Sequence, residues 1–115
     1  MEDSILNSIK KMIGPTSQDT YFDTDIIIHI NSVFSILKQL GVGPEEGFSI
    51  ADSTATWSDY LGESYADLNA VITYVYMRVK LLFDPPLNSS VIASMEKIIS
   101  EIEWRLNVAT ENNKK

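Results

Sequence analysis

The chain has 115 residues, 44% of them hydrophobic and 22% charged, which suits one folded domain with a real core and argues against disorder. With no cysteine and a single histidine, His29, it excludes disulfides, thiol nucleophiles, Cys-based metal sites, multi-histidine sites and a Ser-His-Asp triad. A formal charge of −7 speaks against gripping nucleic acid through its phosphates.

The N-terminus, Met1-Glu2-Asp3-Ser4, is acidic where a secretory signal is basic, so export is not expected. In the first helical pattern Ile5, Leu6, Ile9, Met12 and Ile13 share a face, Ser4 or Asp3 supplies the cap, and Gly14-Pro15 ends it. Asp23-Thr24-Asp25 offers capping oxygens for a second helix running to Leu40, with Gly41 as its stop. That helix gathers Ile26, Ile27, Ile30, Val33, Phe34, Leu37 and Leu40 on one side and projects Ile28 away. A long loop follows, because 41–47 holds three glycines and a proline. Phe48-Ser49-Ile50 reads as extended chain, and Thr56 to Gly62 as one helical turn with its own cap and stop.

A third helix is expected from about Tyr65 to Phe83, halted by Asp84-Pro85-Pro86. Leu68, Ile72, Val75, Val79 and Leu82 form one face, yet Tyr74, Met77 and Leu81 cover the other. Asn88 or Ser89 caps a fourth helix that reaches about Ala109, with Val91, Ile92, Met95, Ile98, Ile99, Ile102 and Leu106 in one arc and Trp104 nearly opposite. The expectation is an all-α fold: a small bundle of four main helices plus a short helical turn, with a long loop between the second and third helices. Residues 1–109 form a single domain and 110–115 a flexible tail.

A helix that is apolar all round needs cover on both sides. Four helices leave part of that surface over, so another copy of the chain is expected against Ile28, Tyr74, Met77, Leu81 and Trp104. The competing reading is that each off-face residue folds under a neighbouring loop, as scattered surface hydrophobes often do.

Charge is unevenly spread. Between Met12 and Met77 Lys38 is the one base, against Asp19, Asp23, Asp25, Glu45, Glu46, Asp52, Asp59, Glu63 and Asp67. This predicts a negative field on one region of the fold, either a solvated skin or a surface that faces an acidic partner without sticking to it. No catalytic constellation emerges. Gly41-Val42-Gly43 is followed by Pro44 rather than by a phosphate-binding helix start. Asp25 and His29 read as a surface pair, and Asp23 and Asp25 lack the glycine and distal glutamate of a calcium loop. No enzyme, metal or cofactor is expected.

Phe22-Asp23-Thr24-Asp25-Ile26-Ile27-Ile28-His29-Ile30-Asn31, running on to Leu40-Gly41-Val42-Gly43-Pro44, resembles the head–tail connector family of long-tailed bacteriophages. So do Tyr74 to Pro86 and Glu103-Trp104-Arg105-Leu106-Asn107-Val108, and the Trp57–Leu61 turn has its counterpart there; the likeness spans about Ser4 to Ala109. The resemblance implies a non-enzymatic adaptor, made in the host cytoplasm and built into the virion. Such adaptors form a ring, usually of twelve copies, beneath the portal, help close the DNA-filled head and join it to the stopper or tail. DNA passes through without specific binding, no membrane is involved, and isolated protein can be monomeric. Under this reading Glu45, Glu46, Asp52, Asp59, Glu63 and Asp67 dock portal or stopper or line the DNA channel. Two other readings stand beside it. One is a small acidic helical phage protein that inhibits a DNA-binding protein. The other, a helix-turn-helix, is poorly supplied, since the second helix offers only Asn31, Lys38 and Gln39 to base edges.

Overall fold

A computed structural model describes residues 4–14, 20–62, 65 and 67–113, with side chains as far as 108. Helix α1 (Ile5–Ile13) starts where the Ser4 side chain accepts from the Asn7 amide at 3.2 Å, and ends at Gly14, whose φ of +116° no side chain tolerates well. It buries Ile5, Leu6, Ile9 and Ile13. Met12, expected on the same face, is exposed at its edge. Lys10 is buried as well, because its ammonium meets Asp23 at 2.7 Å and so ties α1 to the start of α2 (Asp23–Gln39).

That contact corrects one expectation. No side-chain cap bond starts α2: Phe22 holds the cap position, a 3₁₀ turn (Thr20–Phe22) runs straight into the helix, and Asp23 faces Lys10 instead. Asp23 and Asp25 still place negative charge at the positive end of the helix dipole. The α2 face is as expected: Ile26, Ile30, Val33, Phe34 and Leu37 are buried, Ile27 and Leu40 pack partly, and Ile28 points out. The helix closes as the amides of Gly41 and Val42 donate back to Lys38 and Leu37, with Gly41 at φ +92°.

The loop beyond Gly41 is irregular yet firmly docked. Asn31 on α2 donates to the Ile50 carbonyl at 3.0 Å and accepts from the Ile50 amide at 2.8 Å, doing for that residue what a neighbouring strand would. Phe48 and Tyr60 pack their rings on Phe34. The Ala55 carbonyl accepts from the Ile5 amide, and Ser4 and Thr56 form an isolated bridge. Helix α3 (Trp57–Leu61) carries the expected cap: Thr56 accepts from the Asp59 amide and Asp59 accepts from the Thr56 amide.

Helix α4 (Leu68–Phe83) starts three residues later than expected and lies against α1, α2 and α5. Its buried stripe is Val71, Tyr74, Val75 and Val79. The helix is therefore turned from the expected phase. Tyr74, expected on the uncovered side, is 0% exposed, while Leu82, expected in the core, is 55% exposed. Met77 and Leu81 pack partly against the core from their own chain. Helix α5 (Ser89–Asn113) continues past Ala109, where the spacing ends it, by four residues. It packs chiefly on α4, burying Met95, Ile99, Ile102 and Leu106, but leaves Val91 and Ile98 exposed.

Candidate assembly surface

A polar joint fixes α5 on α4. The Tyr74 hydroxyl donates to Glu103 Oε2 at 2.6 Å, Arg78 Nε donates to the Tyr74 oxygen at 2.8 Å, and the Arg78 guanidinium pairs with the same carboxylate. Burial and the bond to Glu103 push the Tyr74 phenol well above its ordinary range. Partial burial pushes Glu103 up, but donation from Tyr74 and Arg78 together with the Arg78 charge outweighs it, so the carboxyl sits below the usual range. Helix spacing alone could not reveal this joint, since its two halves lie 25 and 29 residues apart.

The outer side of α5 stays uncovered. Of nine exposed large hydrophobic side chains among the described residues, six fall between 82 and 108: Leu82, Leu87, Val91, Ile98, Trp104 and Val108. Val91 and Ile98, seven residues apart, share a row beside the core stripe; Trp104 stands ~140° away from Val91, at about 100° per residue. Trp104 is 70% exposed and, with Lys97, Ser100, Glu101 and Arg105, borders a shallow surface recess of about 420 Å³. Ile28 on α2 is 56% exposed. Of the expected contact residues, Ile28 and Trp104 are thus open, Met77 and Leu81 half-covered, and Tyr74 enclosed. Spacing does not disclose Leu82, Val91 and Ile98 as surface residues; for Leu87 its place in the turn directly after Pro85-Pro86 is a signal.

The acidic residues have different surroundings. Glu45 and Glu46 are exposed beyond the end of α2. Asp52 is exposed too, and its carboxylate accepts from the Thr54 hydroxyl at 2.6 Å and the Thr54 amide at 2.9 Å, which hold it below its usual range. Asp59 caps α3, and Asp67, half-buried, occupies the cap position of α4. Glu63 lies outside the described residues. Asn31, the best of the groups considered for base reading, is spent on Ile50.

Between Lys38 and Glu45 lies a surface recess of about 250 Å³, lined also by Gly41, Gly43 and Pro44. Position 43 in its lining has no room for a side chain. Gly43 sits at φ +92°, and a Cβ there would come 2.7 Å from the Tyr60 ring. Among the described residues no three His, Cys, Asp or Glu side chains gather to hold a metal ion, and no helix is long and apolar enough to cross a membrane.

A family model described as phage connector protein matches residues 5–113, nearly the whole of the chain. No curated protein and no solved structure matches.

Proposed function

This chain belongs to the phage connector protein family, and from that premise we propose that it is a structural adaptor of the virion's head–tail junction. In this reading copies of the chain assemble, twelve to the ring, beneath the portal of the DNA-filled head. The ring helps close the head and presents a surface to the stopper or tail. The match over residues 5–113 carries the proposal, because it takes in every helix of the fold.

Two physical features support it. Rings need heterologous contacts, in which two different patches of one subunit meet its neighbours. The outer side of α5 supplies apolar surface its own chain leaves open, and Ile28 on α2, with the half-covered Met77 and Leu81, supplies a second patch. The other feature is charge. Nine bases against sixteen acids, with Glu45, Glu46, Asp52 and Asp59 exposed and Asp67 and Glu63 following in the sequence, suit a channel that DNA must traverse without being held, or a docking face for portal or stopper.

The test is co-sedimentation of the purified chain with tailless DNA-filled heads and with empty procapsids, followed by electron microscopy of the vertex. Binding to filled heads only, with a ring at one vertex, is the expected result. Indifference to both particles, or capture of a nuclease or repressor in place of portal, overturns the proposal in favour of an acidic inhibitor.

A further inference from the structure

We propose that the exposed Trp104 side chain of one copy seats in the Lys38–Glu45 recess of the next, as one part of the repeating contact of the ring. The inference rests on the adaptor reading above and names which two surfaces meet.

The indole is the largest apolar group that α5 leaves open, at 70% exposure. The recess measures about 250 Å³, below the roughly 300–1,000 Å³ of small-molecule sites. It therefore suits one large side chain better than a free ligand. Two glycines, Gly41 and Gly43, leave its lining open, Pro44 adds a flat apolar surface, and Lys38 brings a cation of the kind that favours an aromatic face.

Charge fits on both counts. Lys97 and Arg105 flank Trp104, and Glu45 rims the recess with Glu46 next in sequence; Glu101, beside Trp104, answers Lys38 in the recess. The smaller recess beside α1, about 130 Å³ and lined by Ser4, Asn7, Ser8 and Lys11, carries a base and no acid. It offers no acid to Lys97 and Arg105. Position also fits. Helix α4 packs against both α2 and α5, and Trp104 lies on the side of α5 away from its buried stripe. The two surfaces are thus different patches of one subunit, as a head-to-tail ring requires. Glu45 and Glu46 then belong to the seam between subunits rather than to the channel wall.

Because the chain has no cysteine, the contact can be trapped cleanly. The double variant Pro44→Cys, Ser100→Cys leaves Trp104 and every charge in place. Oxidised at high concentration, it is expected to give a ladder of covalent dimers, trimers and higher rungs, whereas either single variant can stop only at dimers. Adding Glu45→Lys and Glu46→Lys should slow ladder formation at least tenfold, and further adding Lys97→Glu and Arg105→Glu should restore it. In the unmodified chain, concentration should shift the Trp104 fluorescence to the blue, and Glu45→Lys with Glu46→Lys should abolish the shift. No ladder and no shift, or a ladder indifferent to Trp104→Ala, overturns the contact. If rings still form on heads in that case, the adaptor reading survives; if none forms, both fall.

Discussion

The Tyr74 hydroxyl and the Glu103 carboxylate meet at 2.6 Å across the α4–α5 joint, with Arg78 bonded to both. A bond to a charged acceptor contributes about 1.5–3 kcal/mol, less where water screens it. Tyr74→Phe keeps the buried ring and the Arg78–Glu103 pair, so a loss of about 1–2 kcal/mol in urea-induced unfolding is expected. An unchanged denaturation midpoint would show that the joint contributes nothing. Since Tyr74 is enclosed by its own chain, ring formation by this variant should survive once it is folded.

This joint marks the limit of what the sequence discloses. Local signals were legible: Ser4 and Thr56 as caps, Gly14 and Gly41 as stops, and the inward face of α2 all stand where spacing puts them. The phase of α4 was not, because a helix with apolar residues on every side carries no periodicity to orient it. Its partners decide: α1, α2 and α5 enclose Val71, Tyr74, Val75 and Val79, and the last turn, with Leu82, escapes them. On α5 the spacing shows the apolar arc but not how much of it is covered: α4, its chief neighbour, leaves Val91 and Ile98 outside. The docking of the loop after α2 is not legible locally, because its anchors are distant ones, such as Asn31 to Ile50 and Trp57 to Ser8.

Asn31→Ala removes both bonds to Ile50 and leaves an amide and a carbonyl of a buried residue without partners. Each such group costs about 1–3 kcal/mol, so the variant should lose at least about 2 kcal/mol in thermal or urea unfolding. The damage should concentrate in the loop. Amide exchange is expected to rise first at 48–56, while α2 itself keeps its protection. Uniform loss across the chain would mean that the loop is not docked by this residue.

Trp104→Ala separates stability from assembly. An exposed side chain far from caps and core changes folding by no more than about 0.5 kcal/mol, whereas a tryptophan at the centre of an interface commonly carries about 2 kcal/mol or more. The variant should unfold with the unmodified chain in solution yet fail to form rings on DNA-filled heads. Ile28→Ala, also on an open position, provides the comparison for the second exposed patch. Native mass spectrometry and electron microscopy read both. A normal ring from Trp104→Ala would remove this residue from the assembly surface.

Stability should fall at both ends of the pH scale, for opposite reasons. Glu103 is held below its ordinary range in the folded chain, so its contribution is full above the unfolded carboxyl value, about 4.3, and disappears as pH falls through the lowered folded one. Burial raises the phenols of Tyr60 and Tyr74. Their contribution is full below about 10, where unfolded tyrosine titrates, and is lost progressively as pH climbs towards their folded values. Phenolate absorbance should therefore rise for these two residues together with unfolding, not ahead of it. Tyr60→Phe sharpens the test. The Tyr60 hydroxyl is buried with no hydrogen-bond partner among the described residues, so removing it should leave neutral-pH stability unchanged or raise it by up to about 1 kcal/mol. The same substitution should flatten the alkaline loss. An alkaline midpoint identical in Tyr60→Phe and the unmodified chain would mean that burial of this phenol does not drive the transition.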